Sequence, residues 1–417
     1  MMVLCTVATS CGNKSNEQQT EVTFPAIDLS NMDLSINPAE DFFRYTNNNW
    51  LKNNPIPEEY TTYGAFTEID QRNEILIQDI IKEASNDADA VEGSVAQKIR
   101  DFYNAGMDTV AINERGYSEL IPYFDRINAI SDKGQLGEML GFMHNNGFRG
   151  LFSAGGGADP KQADMIIMHV YQGGLSLPDR DDYFEETSAE MREKYVEHVT
   201  NMFKLVGTEA EAAAQKAENI LRFETRLAEK SLTRLERRDP DRTYNKKTVA
   251  ELQSSTPNFD WSQYFTAVGA PAFDSLNVGM PDFLANMNQV IEETDLAVIK
   301  DYLTWKLITG SATQLNTELD VENFNFYSKY IYGQEVQQPR WRRILNATSG
   351  CLGEAIGQIY VEKHFPAEAK TRMENLVANL KVAFGERIKV LDWMDDATKE
   401  KALNKLACIN VKVGYPN

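Results

Sequence analysis

The side chains best suited to holding a metal ion are few: four histidines, His144, His169, His198 and His364, and four cysteines, Cys5, Cys11, Cys351 and Cys408. Metal-assisted hydrolysis needs three protein ligands around an open coordination position, with a carboxylate to take the proton of the bound water. A helix offers two imidazoles to one ion when they stand one turn apart. No two of these histidines are three or four residues apart, and no H-E-x-x-H occurs. Each stands alone in an apolar or mixed stretch, the setting of an ordinary hydrogen-bonded histidine. No spacing brings Cys351, Cys408 and His364 together. No metal ligand and no catalytic residue is therefore assigned in this chain.

Other chemistries find as little support. Gly155, Gly156 and Gly157 precede Ala-Asp-Pro-Lys rather than the Lys-Ser/Thr of a phosphate-binding loop, so the segment 155–160 is predicted to be a turn. No G-x-S-x-G elbow positions a serine nucleophile. Paired carboxylates arise by chance among 62 acidic residues. Arg340 and Arg342, flanking Trp341, would suit a substrate carboxylate, but so many acids favour an internal ion pair. Cys351 and Cys408 are read as two buried free thiols in preference to a bridge, since sequence spacing does not set Cα separation.

The scaffold that would position any of these groups is large. A chain of 417 residues exceeds what one core usually serves, so two lobes, or a large lobe and part of another, are expected. With 42% hydrophobic and 25% charged residues the composition is that of a folded globular protein. The net charge of −20 repels phosphate backbones and excludes nucleic acid as a partner. The apolar opening MMVLCTVATS gives way at Cys11 to GNKSNEQQTE. Residues 1–11 are read as an export leader in which Ala8, Thr9 and Ser10 precede a lipid-anchored Cys11. Residues 12–34 are read as a polar tether. No other stretch reaches the ~18 apolar residues that a bilayer span requires.

Helical periodicity dominates the rest. Leu76 with Ile80, and Ile77 with Ile81 and Ala84, mark a helix over 73–84, with Thr67 and Asp70 as its start signal. Val95, Ile99 and Phe102 mark another, followed by Tyr195, Val199, Met202 and Val206, and by Ile220, Phe223 and Leu227. The longest run, Met373, Leu376, Leu380, Phe384, Ile388 and Leu391, predicts a helix packed on a large core. Strand-like alternation is best over Met165–Tyr171, and PNFDW at 257–261 reads as a turn. The five tryptophans, Trp50, Trp261, Trp305, Trp341 and Trp393, are expected to fill a helical core.

The segment DFFRYTNNNWLKNNPIPEEYTTYGAFTEIDQRNE, 41–74, resembles the opening of the neprilysin and endothelin-converting-enzyme family of zinc metalloendopeptidases, including its bacterial oligopeptidases. Further matching motifs follow in order: QGGLSLPDRDDYF at 172–184, LAEKSLTRLERRDPDRTYN at 227–245, FDW at 259–261 and DYLTWKLI at 301–308. PRWRRILN at 339–346, LGEAIGQIYVEKHF at 352–365 and the run from Leu391 to the end complete the series.

The resemblance implies a mainly α fold with few short strands: the multi-helical N-terminal, or cap, lobe of a two-lobed metallopeptidase. It spans 35–417, with 35–70 and 405–417 bordering a catalytic lobe absent from this chain. It implies peptide substrates, one zinc ion in the full-length protein and none in this chain, which alone is expected to be inactive. Its partners would be the C-terminal catalytic lobe and, only through a lipidated Cys11, a bacterial membrane, with the protein exported to the periplasm or cell surface. Thr62 and Thr67 stand where mammalian members carry a substrate-holding Arg and Asp, so substrate-binding residues stay unassigned. A helical surface lipoprotein capturing glycans or peptides without cleaving them is the alternative, and the ordered motif series argues against it.

Overall fold

A computed structural model describes residues 27–416, so the leader, Cys11 and most of the tether lie outside the described residues. The chain divides into two compact units: one runs to Pro57 and includes Thr62–Gly64, and the other comprises Glu58–Thr61 and everything from Ala65.

The first unit is organised by the helix Phe42–Asn53, whose N-terminus is capped by Asp41 accepting from the Arg44 amide at 2.8 Å. Asn48 and Asn49 of this helix face the loop that precedes it. Asn48 Nδ2 donates to Asp33 Oδ2 at 2.7 Å, Lys52 Nζ reaches the same oxygen at 3.0 Å, and Asn49 Nδ2 donates to the Met32 carbonyl at 2.7 Å. Hydrogen bonds from Ser35, then Asn48 and Lys52, hold the Asp33 carboxyl well below the usual carboxylate range. Trp50 stacks on Tyr63 with ring centroids 6.0 Å apart.

The second unit carries most of the seventeen α-helices found among the described residues, with a four-stranded sheet. The strands are β1 (Phe152–Asp159), β2 (Gln162–Gln172), β3 (Lys246–Thr248) and β4 (Ser275–Val278), in the order β1-β2-β4-β3. β1 and β2 form an antiparallel hairpin, β2 and β4 are parallel, and β3 closes antiparallel on β4. The glycines predicted to turn are strand residues instead: Gly155, Gly156 and Gly157 pair with His169, Met168 and Ile167, and the turn falls at Pro160 and Lys161. A Cβ on Gly157 would lie 3.2 Å from the His169 ring, so the missing side chain makes room for it.

The main core lies between this sheet and the helices Leu136–Asn145, Ala189–Leu205, Ala210–Ala228, Pro281–Glu293 and Leu296–Ser311. Tyr195, Val199, Met202, Ile220, Phe223 and Leu227 are all buried there, as their periodicity requires. Trp261 and Trp305 are fully buried, and PNFDW turns so that Asp260 caps the helix Trp261–Ala267.

A smaller core joins the helices Ala65–Asn86, Val95–Met107 and Arg340–His364 through Ile80, Ile81, Ala84, Ile99, Tyr103, Leu345 and Ile356, with Trp341 packed against it. The first of these helices starts at Ala65, so Thr67 lies inside its first turn and not at its cap. Phe102 remains exposed.

The helices Ala367–Lys389 and Asp396–Ala407 then pair as a hairpin in which Ile388 and Leu406 are the buried side chains. The prediction of a helix packed on a large core fails here. Met373, Leu376, Leu380 and Phe384 are all exposed, and Trp393 is 70% exposed, because both helices lie outside the two cores. Cys351 and Cys408 are free thiols but exposed, not buried: Cys351 is on the kinked helix Arg340–His364 and Cys408 at the end of the hairpin.

Candidate functional site

Three of the four histidines are tied into the main core. His144 Nδ1 lies 2.7 Å from the Tyr264 hydroxyl, and burial lowers its imidazole from 6.5 to about 4. His169 Nδ1 lies 3.0 Å from the Tyr171 hydroxyl and 3.2 Å from Asn277 Nδ2. His198 Nδ1 lies 3.0 Å from Glu322 Oε1, while its buried Nε2 has no partner among the described residues. That ring stacks on Phe326 and meets Trp305 and Tyr327 edge-on, so aromatic rings rather than ligands surround it. His364 is exposed at the end of its helix. Among the described residues no three His, Cys, Asp or Glu side chains group as a metal site would require. The residues described do not fit zinc.

Arg340 and Arg342 separate in role. The Arg342 guanidinium is set between Glu74, 2.9 Å away, and Glu59, 3.8 Å away, and lies over the Tyr60 and Trp341 rings. Arg340 instead donates to the Gly106 carbonyl at 2.9 and 2.6 Å. The expected internal ion pair holds for Arg342, and a backbone carbonyl takes the place of an acid for Arg340.

A buried polar network escapes any argument from spacing. Glu224, 0% exposed on the helix Ala210–Ala228, faces Lys306, 5% exposed on the helix Leu296–Ser311. Glu224 Oε1 accepts from Lys306 Nζ at 2.9 Å and from Ser176 Oγ at 2.7 Å. Its Oε2 accepts from the Tyr183 hydroxyl at 2.8 Å and the Tyr195 hydroxyl at 3.0 Å. Ser176 Oγ in turn accepts from Lys306 Nζ at 2.7 Å and Trp305 Nε1 at 3.1 Å. Four donors satisfy one carboxylate, the condition under which a buried charge is tolerated. Burial pulls the Lys306 ammonium down against the opposing pull of Glu224, and burial, then Glu224, pushes the Tyr183 and Tyr195 hydroxyls up.

This network pins the turn QGGLSLPDRDDY. Ser176 and Leu177 amides donate to the Tyr183 hydroxyl at 2.9 and 3.1 Å, and Tyr302 donates to the Gly174 carbonyl at 2.8 Å. Gly174 has φ +85°, and a Cβ there would meet the Tyr302 hydroxyl at 2.8 Å, so only glycine fits. The sequence signal that marks Lys306 is a lone charge among Leu303, Trp305, Leu307 and Ile308; Glu224 beside Phe223 carries a weaker one. Beside the turn opens a cavity of about 860 Å³, bordered by Lys306, Arg149, Arg180, Arg237, Tyr327 and Tyr332. Tyr327 belongs to a π-helical segment, Phe324–Ile331, of a kind that recurs at functional sites. No helix among the described residues is long and apolar enough to cross a membrane.

Comparison with known proteins places the chain. Residues 38–416 match the sequence profile of Peptidase family M13. Endothelin-converting enzyme 1 of Bos taurus is 27% identical over 406 residues, covering 93% of this chain and 53% of the relative. Neprilysin-3 of Drosophila melanogaster is 26% identical over 412 residues, covering 93% and 52%. The inhibitor complex of the Mycobacterium tuberculosis zinc metalloprotease Zmp1 superposes with TM-score 0.86 at 34% identity, over 91% of this chain and 58% of that one. PepO from Lactobacillus rhamnosis HN001, at 18% identity and TM-score 0.79, covering 91% and 60%, shares the fold. The chain thus spans about half the length of the curated relatives it matches.

Proposed function

The chain belongs to peptidase family M13, and from that premise we propose that it is the mainly helical N-terminal lobe of an exported zinc endopeptidase, restricting the active site to small peptides. The observation that carries this reading is the likeness to a zinc metalloprotease over nearly the whole of this chain but little more than half of that one. None of the 417 residues forms an H-E-x-x-H, and the described residues do not fit zinc, so this lobe's share is access and positioning rather than bond cleavage. Its partner is a C-terminal catalytic lobe carrying one zinc ion per full-length protein. Cys11, outside the described residues, is the proposed lipid attachment that holds the exported protein at a bacterial membrane or cell surface.

The gene read past codon 417 tests the proposal. We expect an in-frame H-E-x-x-H and, in the full-length product, chelator-sensitive hydrolysis of short peptides but not of folded proteins. A stop codon at that point, or cleavage of folded proteins as fast as of peptides, sinks it.

A further inference from the structure

The basic side chains around the cavity beside the 173–180 turn are not equivalent. Lys306 is opposed by Glu224 at 2.9 Å, Arg180 by Asp181 at 2.6 Å, and the lining acid Asp179 is taken up by Arg234 at 2.9 Å. Arg149 and Arg237 remain, both exposed, and neither guanidinium has a hydrogen-bond or ion-pair partner among the described residues. In a chain with 62 acidic against 42 basic residues, two unopposed guanidiniums on one cavity run against the prevailing field. Arg149 also stands close enough to Lys306 to disfavour its charge, a like-charge crowding that a bound anion would relieve. Gly147, Gly150, Gly173, Gly174 and Gly310 line the same cavity, leaving backbone rather than side chains at its wall. Tyr327 and Tyr332 add flat faces with hydroxyl ends.

We infer that this cavity binds a carboxylate of a peptide, gripped by Arg149 and Arg237. A planar guanidinium fork matches a carboxylate in two parallel hydrogen bonds, and a cavity of about 860 Å³ has room for several residues around that anchor. The peptide as ligand rests on the proposed function; the preference for a carboxylate rests on the unopposed charges. The carboxylate comes either from a chain end or from an Asp or Glu side chain.

Calorimetric titration of the full 417-residue chain separates these sources with four octapeptides of otherwise uncharged sequence and acetylated N-terminus: one with a free C-terminus, its amidated twin, an amidated form carrying one Glu, and the Gln counterpart. We expect one carboxylate peptide to bind about tenfold more tightly than its uncharged twin. Arg149→Met and Arg237→Met should each remove most of that preference with unchanged melting, as both side chains are exposed. Arg238→Met, which alters an exposed arginine away from the cavity wall, should leave the preference intact. Raising NaCl from about 0.05 to 0.5 M should narrow it. Equal binding of charged and uncharged twins, no binding by any peptide at millimolar concentration, or a preference that survives both substitutions overturns the inference. No cleavage is read, so failure of the peptidase proposal would leave this result standing.

Discussion

The helices Ala210–Ala228 and Ala367–Lys389 both space apolar residues at helical intervals, and they meet opposite fates. The first buries Ala213, Ala217, Ile220, Phe223, Glu224, Leu227 and Ala228 among neighbouring helices. The second buries Ile388 alone and leaves Leu376, Leu380 and Phe384 in the open, with the helix Asp396–Ala407 as its main neighbour. A periodic apolar stripe therefore states that a face exists, and says nothing of whether this chain covers it. The contrast extends to polar groups. In the main core even a carboxylate is enclosed and fully satisfied, whereas the hairpin buries no charged side chain.

The largest expected effect breaks the enclosed side of this contrast. Glu224→Ala leaves Lys306 buried without a counter-charge and three hydroxyls without their acceptor, and should cost about 3–5 kcal/mol in urea denaturation followed by tryptophan emission. Pairing Glu224→Leu with Lys306→Met should recover much of that loss. A loss under about 1 kcal/mol for the single change would mean that the network is not enclosed as described.

A smaller effect comes from His144, held neutral in the same core. Its folded imidazole titrates at about 4 and an unfolded one near 6.5, so between these values the unfolded chain binds more protons. Stability should therefore fall as pH drops from 6.5 to 4, by at most about 3 kcal/mol from this group. His144→Gln, which keeps a partner for Tyr264, should flatten that slope. Observation by NMR of an imidazole titrating near 6.5 at this position would place His144 in water, on the hairpin's side of the comparison.

The smallest effect sharpens the other side. Leu380, 59% exposed, is as large as the buried Leu227, yet Leu380→Ala should change stability by no more than about 0.5 kcal/mol. A loss of about 2 kcal/mol or more, the cost of truncating a core leucine, would show that something covers this face in solution.

What the sequence determined by itself was local or cumulative. Tyr195, Val199 and Met202, or Ile220, Phe223 and Leu227, repeat at the helical period and had to share a face. The ordered motifs from Asp41 onward identified the family, because many weak matches in one order are jointly specific. Tertiary structure alone decided the rest, for one physical reason: the deciding partners are distant in sequence. Gly155 to Gly157 favour a turn locally, and became strand only by pairing with Ile167 to His169 across the hairpin. Glu224 and Lys306 stand 82 residues apart, and Ser176 lies 48 residues before Glu224, so no local pattern announces that they meet. Trp393 carries as much apolar surface as Trp305 and stays exposed, since burial depends on what the folded chain brings against a side chain and not on the side chain itself.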